Sequence, residues 1–185
     1  APQIRKVSFT GSVPVGKQLA ALAGSHMKPV TMELGGHSPV VVFDDSDVET
    51  AAAQLAAFKY RNAGQVCISP TRFFVQDGVY DTFLGAFAEK AKNLRLGPGT
   101  AADTQMGPLA TERRLQAISA LVDDAVRDGA KLHAGGRRIG NVGYFYAPTV
   151  LGDVPATSRI MNEEPFGPVA LVNRFGSEDE VVKKA

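Results

Sequence analysis

One cysteine and one strand-end glutamate are the residues in this chain best placed to do covalent chemistry. Cys67 stands in the run Asn62-Ala63-Gly64-Gln65-Val66-Cys67-Ile68-Ser69-Pro70. A helical pattern ends before this run and a strand pattern begins shortly after it, so the thiol is expected on a loop. The useful nucleophile is the thiolate, which needs a base, a positive charge or oriented amides to form near neutral pH. No lysine, arginine or histidine is a close neighbour in sequence. Activation would have to come from the fold, from loop amides or from a bound cationic cofactor. A lone cysteine can equally be a small buried hydrophobe. The polar, glycine-containing loop favours function, because catalytic residues often sit on loops carried by rigid scaffolds.

Glu33 ends an apolar strand in Thr31-Met32-Glu33-Leu34-Gly35-Gly36. Strand ends of open α/β sheets face the ligand crevice. A partly desolvated carboxylate there suits general-base work. The plain alternative is a solvent-facing glutamate. Pro165-Phe166-Gly167-Pro168 reads on its own as a rigid turn with Phe166 as a core plug.

The elements that must position these groups alternate between strand and helix. Strands are expected at Val7 to Thr10, Val30 to Leu34, Pro39 to Phe43, Arg72 to Val75, Lys131 to Ala134, Tyr144 to Val150 and Val169 to Asn173. Helices are expected from about Pro14 to Ala23, after the capping pattern Ser46 to Glu49, from Val79 to Leu94 and from Thr111 to Asp128. In the second of these Val48, Ala52, Leu55 and Phe58 share a face; in the last, Leu115, Ile118, Leu121, Val122 and Val126 are the apolar positions. The alternation predicts an α/β fold, a mostly parallel sheet flanked by helices. The seam in this organisation falls near Gly35-Gly36.

Composition sets limits on partners and location. Of 185 residues, 20 are Lys or Arg and 19 are Asp or Glu, a net charge of +1 that gives no electrostatic case for nucleic acid or an anionic membrane. No apolar stretch approaches the roughly 20 residues needed to span a bilayer. One cysteine permits no internal disulfide, which fits a reducing, cytoplasmic setting. No metal site is predicted.

Four motifs together carry a resemblance: Phe9-Thr10-Gly11-Ser12, Met32-Glu33-Leu34-Gly35-Gly36, Gly64-Gln65-Val66-Cys67 and Glu163-Glu164-Pro165-Phe166-Gly167-Pro168. In this order and at these separations they resemble the aldehyde dehydrogenase superfamily, over nearly the whole chain. The resemblance implies an aldehyde dehydrogenase-like catalytic domain with Cys67 as nucleophile and Glu33 as general base. It implies that Gly11 and Ser12 meet the pyrophosphate of NAD or NADP. A helix N-terminus presents unpaired N–H groups and a positive dipole end to such an anion, and glycine lets the backbone come close. It implies further that Glu164 holds the nicotinamide ribose hydroxyls and Phe166 helps position the nicotinamide end. The implied reaction is oxidation of a small aldehyde to a carboxylic acid through a thiohemiacetal and a thioester on Cys67. The run Arg72-Phe73-Phe74-Val75 leans towards the semialdehyde-oxidising branch.

Family members are much longer, so residues 1–34 are expected to be the end of a Rossmann-like cofactor domain. Residues 35–185 are expected to be a catalytic domain truncated at its C-terminus. The parent enzyme is expected to be a homo-oligomer, and the isolated chain to be inactive or nearly so. Three other readings stay open. One is a non-catalytic binding domain on the same scaffold. A second passes the acyl group to coenzyme A. The third is a Cys-His hydrolase using His26, His37 or His133.

Overall fold

Short apolar runs separated by glycine and proline give short strands, and the longer amphipathic runs between them give helices that cross from strand to strand. A computed structural model describes residues 1–185, which divide into two compact units, Ala1–Gly36 and His37–Ala185. In the first, β1 (Val7–Gly11) and β2 (Val30–Leu34) pair in parallel, joined by α1 (Val13–Gly24). Gly16 makes this packing close: a Cβ there would stand 2.5 Å from Leu34 Cδ2 of β2.

The second unit contains β3 (Ser38–Val42), α2 (Val48–Tyr60), β4 (Pro70–Gln76), α3 (Tyr80–Lys92), α4 (Glu112–Arg127), β5 (Lys131–Ala134), β6 (Thr149–Gly152), α5 (Arg159–Asn162), β7 (Val169–Phe175) and α6 (Glu178–Lys184). Its sheet has the order β3-β4-β7-β6-β5, parallel throughout except for the antiparallel β5–β6 edge pair. The expected α/β architecture with a mostly parallel sheet is therefore present. The inner strands β4 and β7 are buried on both faces along their apolar stretches, Phe73-Phe74-Val75 and Val169-Ala170-Leu171-Val172. Phe73 of β4 meets Phe83 and Phe87 of α3 with ring centroids 6.4 and 5.1 Å away, and all three rings are fully buried. Each such burial stabilises by about 1.5–3 kcal/mol. Tyr60, at the end of α2, leans on Phe87 and donates its hydroxyl to Thr149 O at 3.0 Å. That bond fixes the end of α2, and hence the start of the cysteine loop, to the sheet.

Four local expectations need correction. The helix cap before α2 is Asp47, not Ser46; its carboxylate accepts from Thr50 N at 3.2 Å and Thr50 Oγ1 at 2.7 Å. The buried face of α2 is Ala52, Ala56, Lys59 and Tyr60, while Phe58 is 40% exposed beneath Arg61. In α4, Ala125 rather than Val126 completes the buried stripe. Tyr144 to Ala147 do not join Thr149–Gly152 in one strand: Pro148 has no N–H to give a ladder, and the segment bonds instead to residues 137–139 through an isolated antiparallel bridge of Tyr146 with Arg138.

Candidate active site

In the first unit the parallel register sets Thr10 opposite Glu33 and Gly11 opposite Leu34. The C-terminal ends of β1 and β2 therefore share one edge, and α1 begins from that edge. Ser12 is its N-cap, extended at φ −71 and ψ 148, and its side chain makes no capping bond. The first turn carries no acidic residue. Its free N–H groups are thus open to an anion. Glu33 is exposed, so the desolvation expected of it is not supplied within this chain.

In the second unit the cysteine loop is built on an unusual backbone. Asn62, Ala63 and Gly64 all have positive φ, at 51°, 53° and 68°. For residues with a Cβ this left-handed region costs about 1–2 kcal/mol each. Such strain persists only where surroundings over-determine it, and it concentrates at functional sites. Here the surroundings are explicit. Asn62 Nδ2 donates to Gln65 O at 3.0 Å, and Gln65 N donates back to Asn62 O at 3.1 Å. The Gln65 side chain reaches out of the loop: its Oε1 accepts from Ala110 N at 2.9 Å, and its Nε2 donates to Asn62 O at 3.1 Å and to Pro108 O at 3.4 Å. Ala63 and Gly64 are buried below, and Cys67 and Ile68 are exposed above. The loop is a rigid platform that holds a thiol out to solvent.

This platform touches the second predicted loop of the unit. Gly64 lies so close to Gly167 that a Cβ on Gly64 would stand 2.1 Å from Gly167 O. The Glu163–Pro168 loop is in turn held from α4. Arg114 Nη1 donates to Pro165 O at 3.3 Å, and its guanidinium lies 6.0 Å from the Phe166 ring centroid. Phe166 has φ 43° and is half-buried, not the core plug that its sequence suggests. The structure thus groups Cys67 with Glu164 and Phe166 on two abutting loops, and groups Gly11 and Ser12 with Glu33 on a separate strand edge. Sequence reasoning missed Gln65, Arg114 and Lys59. Only Gln65 had a signal, as the one polar side chain between Gly64 and Cys67.

Removing the Gln65 clamp is expected to loosen the platform. Gln65→Ala should lower the stability of this chain by about 1–2 kcal/mol in chemical denaturation. Gln65→Glu should do at least as much, since it sets an acceptor against two carbonyls. Two unchanged midpoints would show that the clamp does not hold the loop.

The histidines do not serve the cysteine. His37 Nδ1 pairs with Thr71 Oγ1 at 2.7 Å, and burial, aided by the nearby Arg72 charge, pushes its pKa down to about 4. His133 is on β5, at the far edge of the sheet from β3, where burial also lowers it. His26 lies after α1 in the first unit. No hydrogen bond joins any of them to Cys67. A cleft of about 490 Å³ also lies elsewhere, among Arg72, Asp153, Met161, Asn173, Arg174 and Lys183.

The whole chain, residues 1–185, matches the aldehyde dehydrogenase family. The chain belongs to that family. It is 46% identical over 184 residues to the 3-sulfolactaldehyde dehydrogenase of Pseudomonas putida, covering all of this chain and 38% of that protein. It is 40% identical to the NADP-dependent succinate-semialdehyde dehydrogenase GabD of Escherichia coli K12, again over all of this chain and 38% of the relative. Among solved structures, an E. coli NADP-dependent enzyme superposes with a TM-score of 0.96 at 40% identity, with all of this chain and 38% of that one covered. This aldehyde dehydrogenase chain therefore spans little more than a third of the length of these relatives. No helix in it is long and apolar enough to cross a membrane.

Proposed function

We propose that the protein carrying this chain oxidises an aldehyde to a carboxylic acid, with NAD or NADP as cofactor and Cys67 as nucleophile. The observation that carries this reading is the strained, clamped loop that presents the only thiol to solvent while its buried side abuts the Glu163–Pro168 loop. Within the family, residues 1–34 then close a cofactor domain, and residues 35–185 supply most of the catalytic domain.

The cofactor fits the groups present by their chemistry. Ser12 and the acid-free first turn of α1 can accept a pyrophosphate, and a carboxylate at Glu164 can accept from ribose hydroxyls. Phe166, half-buried beside it, offers a ring face to the nicotinamide end. When bound, NAD or NADP would supply the hydride acceptor, taking up two electrons that the protein itself cannot take.

The chain's own residues do the rest. The Cys67 thiolate adds to the aldehyde carbon and gives a tetrahedral thiohemiacetal. Backbone N–H groups near Cys67 would stabilise the developing oxyanion. After oxidation Cys67 holds a thioester. Glu33 removes a proton from water as that water attacks the thioester carbon. The carboxylic acid leaves and the thiol is regenerated. A covalent intermediate divides one difficult step into two easier ones. A glutamate available as base favours water, rather than coenzyme A, as the acyl acceptor.

The substrate class we propose is an aldehyde with an anionic tail, since the two relatives described above are named for a sulfo-aldehyde and for a semialdehyde of a dicarboxylic acid. The test is to supply the full-length protein with such aldehydes and either cofactor while following reduced nicotinamide. Glu33→Gln should keep one rapid turnover's worth of reduced cofactor but slow the steady state by on the order of 10²–10⁴-fold. Unchanged steady-state turnover in that variant would remove Glu33 from the base role. The 185-residue chain alone should show little or no turnover.

A further inference from the structure

Lys59 is the most buried charged side chain of the fold, with no exposed surface at all. Such burial is unfavourable unless the charge is used. Its Nζ donates to Ser69 Oγ at 3.3 Å, and Ser69 Oγ donates back to Lys59 O at 3.3 Å. Ser69 is two residues beyond Cys67, so this pair grips the far end of the cysteine loop. The same Nζ lies 3.3 Å from the point where a Cβ on Gly64 would stand, a point that is also 2.1 Å from Gly167 O. The ammonium therefore sits where the underside of the cysteine loop meets the Glu163–Pro168 loop. The charge it feels there is that of Glu164.

The geometry points to Lys59 as a positioning residue: its buried ammonium is the internal counter-ion of Glu164 and sets the placement of that carboxylate for the nicotinamide ribose. Through Ser69 the same side chain braces the loop that bears the nucleophile, so one cation registers both loops. This rests on the cofactor reading proposed above and names a residue that the four sequence motifs do not contain. Burial pulls Lys59 down to about 7, against the opposing pull of Glu164. Two other charged or titratable groups border this cluster, His37 just before β3 and Arg72 on β4. His37, held near 4, stays neutral above about pH 6. The sign follows. The counter-ion is present below about pH 7 and is lost as pH rises through that value.

The test is a double-mutant cycle on cofactor binding by the full-length protein, with Lys59→Met, Glu164→Gln and the pair together. Each single change should weaken NAD or NADP binding by about tenfold, and the pair by no more than either alone. Wild-type affinity should fall between about pH 6 and about pH 9, and that fall should be absent in both single variants. Losses that multiply in the double variant would assign Lys59 to the fold alone and overturn the inference. So would a Lys59→Met affinity within about twofold of wild type. If Lys59→Met does not fold, the comparison of wild type with Glu164→Gln across pH still decides it: a pH step that survives without Glu164 overturns the inference. A wild-type protein that binds neither cofactor would overturn the functional reading itself, an outcome distinct from either result on Lys59.

Discussion

Cys67→Ser is expected to lower aldehyde oxidation by the full-length protein by on the order of 10³-fold or more. The two side chains differ by one atom, and Cys67 is exposed on a loop held by other residues, so the fold has no reason to change. What changes is the nucleophile. A thiol yields an appreciable thiolate fraction near neutral pH, whereas a serine hydroxyl does not ionise there and needs a hydrogen-bonded base. No histidine is bonded to this position to act as one, since His37 is engaged with Thr71. Cofactor binding should survive, because Ser12 and Glu164 are untouched. The decisive comparison is turnover against cofactor affinity in the same preparation. Turnover within about tenfold of wild type would displace Cys67 from the nucleophile role. A parallel loss of cofactor binding would show that the change had disturbed the loop rather than the chemistry. Because Cys67 is the only cysteine, labelling of the 185-residue chain by a thiol reagent reports on this one group, and the serine variant gives the blank.

Much of this arrangement was legible in the residues, and the parts that were not share a cause. Strand and helix alternation followed from local apolar periodicity, and it gave the parallel sheet because crossover helices separate its strands. The loop position of Cys67 followed from glycine and polar residues between two periodic runs. Periodicity failed where a polar side chain faces inward. On α2 the apolar pattern selects Phe58 as the buried position, yet Lys59 and Tyr60 point into the core and Phe58 lies outside. A lysine goes inside when a distant group offsets its charge or when burial lowers its pKa, and here both act, with Glu164 arriving from the segment before β7. The left-handed turn at Asn62–Gly64 is invisible for the same reason. Asn62 and Gly64 tolerate that conformation, but Ala63 between them gives no sign of it. It is imposed by Gln65 reaching Pro108 and Ala110, and by the carbonyl of Gly167 lying against Gly64. Arg114 likewise reads as a surface position of an amphipathic helix until the loop it holds is in place. Short-range patterns reveal elements, while the devices that aim a catalytic loop are long-range contacts between polar groups.

Gly64→Ala is the sharpest test of how the catalytic loop is built, and it should destabilise the 185-residue chain by about 3–5 kcal/mol. Two independent costs add. Gly64 has φ 68°, where a Cβ crowds the following carbonyl. The new methyl would also stand 2.1 Å from Gly167 O and 2.6 Å from Gly167 C. Those are backbone atoms, and they cannot rotate away. The Glu163–Pro168 loop must move, carrying Glu164 and Phe166 with it, or the turn must unwind, carrying Cys67. Either response separates the two loops that the proposed chemistry needs together, so activity of the full-length protein should fall even where the fold survives. The neighbouring position supplies the control. Ala63 has nearly the same φ, 53°, and is fully buried. Ala63→Gly relieves the left-handed strain of about 1–2 kcal/mol while giving up the burial of one methyl, about 0.8 kcal/mol, so its stability should stay within about 1 kcal/mol of wild type. Denaturation midpoints of the two variants measured side by side separate backbone strain from loop contact. If Gly64→Ala is as mild as Ala63→Gly, the contact with Gly167 does not constrain the loop, and Cys67 and Glu164 are positioned independently of each other.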